Sequence, residues 1–191
     1  MRELNELLIR DSVGLGHGLL KVDSFLNHQI NPGLLKRIGE DLAEKLAPTR
    51  PTRVLTVETS GIAPALMTAL ALNLPLTFAR KSRTPTMPRN ALRESTLSSR
   101  QERVVDLFVS PEYLSHNDRV VIIEDFLASA QTMLALARLV QHSGAELVAF
   151  GAVIEKVFEG GRAALEALGV PVVAVAIVEK IQDGHVFIRE N

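Results

Sequence analysis

The chain contains no cysteine, which removes disulfides, thiolate metal sites and cysteine nucleophiles from consideration and fits a reducing compartment. It has no tryptophan, and aromatic residues make up 4% of its 191 positions, too few for a base-stacking platform. The formal net charge of −1 provides no global basic field to attract nucleic acid. No stretch reaches the roughly 18 apolar residues that a membrane span requires. The N-terminal run Met1 to Ile9 is too charged, and its apolar part too short, for a secretory signal. The five histidines, His17, His28, His116, His142 and His185, lack metal-ligand spacing, and His116 and His142 are expected to be solvated. Neither a Gly-x-x-x-x-Gly-Lys loop nor a Ser-His-Asp arrangement is present. These absences predict a cytoplasmic, soluble protein with neither nucleic acid nor membrane as partner.

What is present is an ordinary globular composition, 47% hydrophobic and 23% charged, sized for one domain over residues 1–191. Leu4, Leu7 and Leu8 predict a short helix over 2–10, and 17–31 is of mixed character. Pro32 suits the first turn of a helix whose apolar positions, Leu34, Leu35, Ile38, Leu42 and Leu46, follow helical spacing. Strands and helices then alternate. Strands are expected at 53–57, 74–79, 104–109, 120–123, 147–154 and 172–178, with a further one at 184–188. Helices are expected at 62–72, about 129–143 and 161–168. Apolar strands alternating with helices imply an α/β fold with a mainly parallel sheet covered on both faces.

The stretch Val120-Val-Ile-Ile-Glu-Asp-Phe-Leu-Ala-Ser-Ala-Gln-Thr132 carries the most chemistry. Four apolar residues read as a buried strand, followed by the acids Glu124 and Asp125, then a run of small and hydroxylated residues, then a helix. Ligands of open α/β sheets collect at the carboxyl ends of strands, and a helix starting there offers unpaired N–H groups to an anion. Neighbouring strand residues face opposite sides, and a buried unpaired carboxylate is costly. The acid pair is therefore expected just past the strand, open to a cleft. Acids for hydroxyls beside amides for a phosphate suggest a sugar-phosphate site.

Two further loops leave strand ends. In Glu58-Thr-Ser-Gly-Ile-Ala63, Gly61 permits a close approach, while Thr59 and Ser60 offer hydroxyls; Ser60 would serve equally as a helix N-cap. Arg80 and Lys81 open the segment 80–103, which is polar and unpatterned and holds six arginines and one lysine. Such an insertion reads as a solvated loop or as a mobile arm over an anion, and its charge favours the arm.

Val120 to Thr132 resembles the phosphoribosyl-diphosphate signature of the type I phosphoribosyltransferases. Leu20 to Gln29, Glu58 to Pro64, Phe78 to Lys81, Glu124 to Ala128 and Ile154 to Phe158 are similar, in the same order, to the xanthine phosphoribosyltransferases of bacteria. The resemblance implies the type I fold with a flexible lid at about 80–103 and a small base-binding hood built from N-terminal and C-terminal residues. It implies transfer of the 5-phosphoribosyl group from phosphoribosyl diphosphate to N9 of xanthine, with Mg²⁺, in a homodimer serving purine salvage. Glu124 and Asp125 would then be the catalytic acids that take the ribose hydroxyls. Ala128, Ser129, Ala130, Gln131 and Thr132 would hold the 5′-phosphate. Thr59, Ser60, Gly61, Arg80 and Lys81 would lie against the pyrophosphate. Leu20, Asn27 and Lys156 would line the purine pocket, Lys156 as a donor suited to a carbonyl oxygen; a salt bridge with Glu155 is its other reading. No side chain is singled out as a direct metal ligand. The phosphate loop departs from the general type I form by lacking glycine. Two alternatives stay open: a hypoxanthine or guanine phosphoribosyltransferase, and a regulator that binds phosphoribosyl diphosphate without catalysis. Against the regulator stand the lack of a winged-helix segment and of excess positive charge.

Overall fold

The computed structural model describes residues 1–16, 18–98 and 103–189, without the side chain of Ser98. In chain order its helices are α1 (Arg2–Asp11), α2 (Pro32–Leu46), α3 (Ile62–Leu72), α4 (Gln131–Ser143) and α5 (Gly161–Glu166). The strands are β1 (Val13–Gly14), β2 (Leu20–Lys21), β3 (Arg53–Val57), β4 (Leu76–Ala79), β5 (Leu92–Ser98), β6 (Arg103–Val109), β7 (Arg119–Leu127), β8 (Glu146–Lys156), β9 (Val172–Gln182) and β10 (His185–Ile188). A π-helical turn spans Asp23–Asn27.

Val120 to Ile123 on β7 are all buried, and their alternation divides the core. Val121 and Ile123 join a cluster with α1, α2 and α3 on one face, whereas Val120 and Ile122 join α4, α5 and β6 on the other. Between them runs a six-stranded sheet of order β10-β9-β8-β7-β3-β4, parallel except for β10. Pro32 stands in the first turn of α2, whose cap Asn31 accepts the Leu34 N–H at 3.1 Å. All five apolar positions expected from its spacing are buried.

The segment 80–103 differs from its expectation. Residues 92–98 form β5, paired antiparallel with β6 from Leu92↔Val109 to Ser98↔Arg103. The apolar run 104–109 thus belongs to a hairpin outside the main sheet, joined to it by a bridge between Arg80 and Phe108. Arg138 on α4 holds the hairpin, its Nε 2.8 Å from Glu94 Oε2 and its Nη2 donating to the Ser95 carbonyl at 3.1 Å. His142, expected to be solvated, has Nδ1 3.0 Å from Glu94 Oε1. Residues 99–102 of the expected lid, and His17, lie outside the described residues.

Candidate active site

β7 runs on past its apolar residues to Leu127, pairing with β8 up to Leu127↔Glu155. Glu124 and Asp125 therefore sit within the strand, not beyond it, and both are buried. The expectation of an exposed pair fails because each acid finds its own means of burial. Thr56 Oγ1 on β3 donates to Glu124 Oε1 at 3.1 Å, and Asn27 Nδ2 donates to Asp125 Oδ2 at 3.1 Å. Burial foremost, and then the adjacent Asp125 charge, push the Glu124 carboxyl up to about 8, against the bonds from Thr56 and the Val57 backbone and the charge of Lys81. At neutral pH Glu124 is mostly protonated, which removes the cost of burying its charge.

Both acids line a cavity of about 480 Å³. It is also lined by Ala128 to Thr132, where β7 passes into the first turn of α4, and by Leu20, Ser60, Lys81 and Lys156. The first N–H groups of α4 have no partners within the helix, so this end of the cavity suits an anion. Ser60 does not cap α3; its N-cap is Gly61. A Cβ on Gly61 would lie 2.4 Å from Thr56 Oγ1 and 2.6 Å from Glu124 Oε1, so the glycine lets the 58–61 loop close over the buried acid.

Lys156 is nearly buried, its Nζ donating to the Gly18 carbonyl at 3.2 Å and pairing with Glu159. Glu155 is not its partner: that carboxylate is held by Arg162. The Lys156 ammonium lies 5.8 Å and 6.0 Å from the ring centroids of Phe126 and Phe158. Asn27 Oδ1 is buried without a hydrogen-bond partner among the described residues.

The chain matches the phosphoribosyl transferase domain model over residues 22–184. It is 46% identical over 190 residues to a xanthine phosphoribosyltransferase of Deinococcus deserti, covering 100% of this chain and 98% of that one. It is 43% identical over 191 residues to a xanthine phosphoribosyltransferase of Geobacillus thermodenitrificans, with the same coverage. The chain belongs to the phosphoribosyltransferase family. Its fold is similar to the crystal structure of an adenine phosphoribosyltransferase from Rhodothermus marinus, with a TM-score of 0.73, 28% identity and coverage of 92% and 97%. A Thermoanaerobacter pseudethanolicus adenine phosphoribosyltransferase shares the fold at a TM-score of 0.74 and 20% identity, covering 93% and 99%. The type I phosphoribosyltransferase fold is thus the architecture described above.

Within this phosphoribosyltransferase, the cavity gathers Leu20, Ser60, Lys81, Glu124, Asp125, Ala128 to Thr132 and Lys156. Asn27 is hydrogen-bonded to Asp125, and Gly61 packs closely against the Glu124 carboxyl. Thr59 is exposed and not among the lining residues. Arg80 lines a second cavity of about 450 Å³, with its guanidinium 5.9 Å from the Phe78 ring centroid. Lining residues that sequence reasoning missed include Glu58, Thr96, Arg103, Phe126 and Glu159. Glu58 Oε1 accepts the Lys81 N–H at 2.6 Å and so ties two predicted loops together. In the sequence only its place at the head of the 58–64 segment marks it.

The raised Glu124 predicts a pH dependence of stability. The group titrates near 4.5 when unperturbed and at about 8 in the fold. Between these values the folded protein keeps a proton that the unfolded chain has released. The stability associated with the protonated group is complete below about pH 4.5 and is lost as pH rises through about 8. Denaturant midpoints measured from about pH 5 to 9 should fall more steeply in the wild type than in Glu124→Gln, which stays neutral. Parallel curves would contradict the assignment.

Proposed function

We propose that this phosphoribosyltransferase transfers the 5-phosphoribosyl group of phosphoribosyl diphosphate to N9 of xanthine, giving xanthosine 5′-monophosphate and pyrophosphate in purine salvage. The observation that carries the reading is one cavity lined by an acid pair, a helix-start loop and a buried lysine. The names of the relatives from Deinococcus deserti and Geobacillus thermodenitrificans support the choice of base.

In this reading Glu124 and Asp125 accept the ribose 2′- and 3′-hydroxyls. Asp125 also offsets the positive charge that develops on the sugar as the C1–O bond to pyrophosphate breaks and the bond to N9 forms. The amides of 128–132, with the Ser129 and Thr132 hydroxyls, hold the 5′-phosphate. Lys81 and the 58–61 loop lie along the pyrophosphate, and the 92–109 hairpin brings Arg103 to the same cavity. Lys156 has three N–H donors, of which Gly18 and Glu159 take two; the third is available to a purine carbonyl. The partnerless Oδ1 of Asn27 suits an N–H of the same base. An exocyclic amine opposite Lys156 would set donor against donor, which disfavours adenine.

Among the described residues no group of three or more His, Cys, Asp or Glu could hold a metal by itself. Mg²⁺ beside a diphosphate needs only one or two carboxylates, and the cavity offers Glu58 and Asp125, so the donor set fits. Bound there with the substrate's oxygens, Mg²⁺ would neutralise charge on the leaving pyrophosphate. Electrostatic preorganisation and orientation supply the remainder of the catalysis.

The cytoplasmic homodimer implied by the resemblance is part of the same proposal, and no described helix is long and apolar enough to cross a membrane. Mixing the protein with xanthine, phosphoribosyl diphosphate and Mg²⁺ should release one pyrophosphate per xanthosine monophosphate formed. DNA binding with no turnover of any purine would instead favour the regulator.

A further inference from the structure

The loop 128–132 contains no glycine, yet Ala130 has φ 63°, a left-handed conformation that disfavours a side chain. The close approach that a glycine within the loop would allow is made from elsewhere in the chain. Gly161, at the start of α5, donates its N–H to the Ala128 carbonyl at 3.0 Å. A Cβ on Gly161 would stand 2.1 Å from Ala128 O, 2.7 Å from Ala130 N and 2.8 Å from Ser129 C. All three are backbone atoms, so no side-chain rotation can relieve the overlap.

The turn bearing Gly161 is itself anchored. Arg162 grips the buried Glu155 through Nε at 2.7 Å and Nη2 at 2.5 Å, and donates from Nη1 to the Val172 carbonyl at 2.8 Å. This turn also begins at Lys156, the donor on the base side of the cavity. We propose that Gly161 is a positioning residue for phosphoribosyl diphosphate. It fixes the backbone of Ala128 to Ala130 and joins the phosphate side of the site to the turn that carries Lys156. The proposal rests on the reading of 128–132 as the phosphate site.

Gly161→Ala should raise KM for phosphoribosyl diphosphate about tenfold or more while KM for xanthine changes less than about threefold. Gly160→Ala is the control. Gly160 has φ 73°, and a Cβ there meets nothing within 4 Å, so the variant strains the same turn without touching the loop. Its KM for phosphoribosyl diphosphate should match the wild type. An unchanged KM in Gly161→Ala, or an equal rise in both variants, overturns the proposal. Should Gly161→Ala not fold, amide exchange of the unmodified protein decides. Phosphoribosyl diphosphate with Mg²⁺ should slow exchange at 160–162 together with 128–132. Protection confined to 128–132 overturns the role of Gly161, whereas no protection at 128–132 overturns the phosphate site itself.

Discussion

Asp125→Asn should lower kcat by about 100-fold or more and leave the melting temperature within a few degrees of the wild type. Asparagine fills nearly the same volume and can still accept the Asn27 side-chain N–H that now reaches Asp125 Oδ2 at 3.1 Å. The packing beneath the site therefore survives. What disappears is a negative charge in a mostly buried position, which in the proposed mechanism faces the sugar whose bond to pyrophosphate breaks. An electrostatic contact of this kind in a water-poor site is worth roughly 3 kcal/mol, or about two orders of magnitude in rate. The substitution also removes the second-largest influence holding Glu124 up at about 8, so Glu124 should titrate lower in the variant. A steady-state assay paired with thermal unfolding checks this; unchanged kinetics in a folded variant would remove Asp125 from the ribose site.

Lys156→Ala should raise KM for xanthine by roughly 10- to 100-fold, with a change of less than about threefold for phosphoribosyl diphosphate. The lysine is held at its post by Gly18 and Glu159 and lies near the rings of Phe126 and Phe158, so its remaining donor is preorganised. Losing a hydrogen bond from a charged donor costs about 1.5–3 kcal/mol. Truncation also leaves Glu159 facing the cavity without its cation, which makes the pocket less hospitable to a purine carbonyl. Equal rises in both KM values would mean that Lys156 supports the cavity as a whole instead of reading the base.

The elements most legible in the sequence are those whose burial is periodic. Pro32–Leu46 lies where helical spacing puts it, Ile62–Leu72 is a helix over the expected residues, and Arg53–Val57 is a strand as its apolar run predicts. The strand at 104–109 is legible, but its partner 92–98 and their pairing are not, because burial in the hairpin is irregular. Val104 is 69% exposed and Leu97 53% exposed, so apolar residues there do not mark a core face. Pairing across the hairpin is set by register, which the unpatterned composition of 92–98 does not reveal. The acid pair is legible as two carboxylates after an apolar run, but neither its place within β7 nor its burial is. Spacing shows two carboxylates at a strand end; it cannot show that Thr56 and Asn27 arrive from other elements to receive them. Gly161 left no local signal, since its importance lies in the backbone it approaches.

The most direct test of the account is a comparison of kcat/KM for xanthine, guanine, hypoxanthine and adenine at saturating phosphoribosyl diphosphate and Mg²⁺, followed by pyrophosphate release. Xanthine should give the largest value, with adenine showing no detectable turnover. Guanine or hypoxanthine exceeding xanthine would contradict the assignment of the base, and turnover of adenine would contradict the donor role given to Lys156.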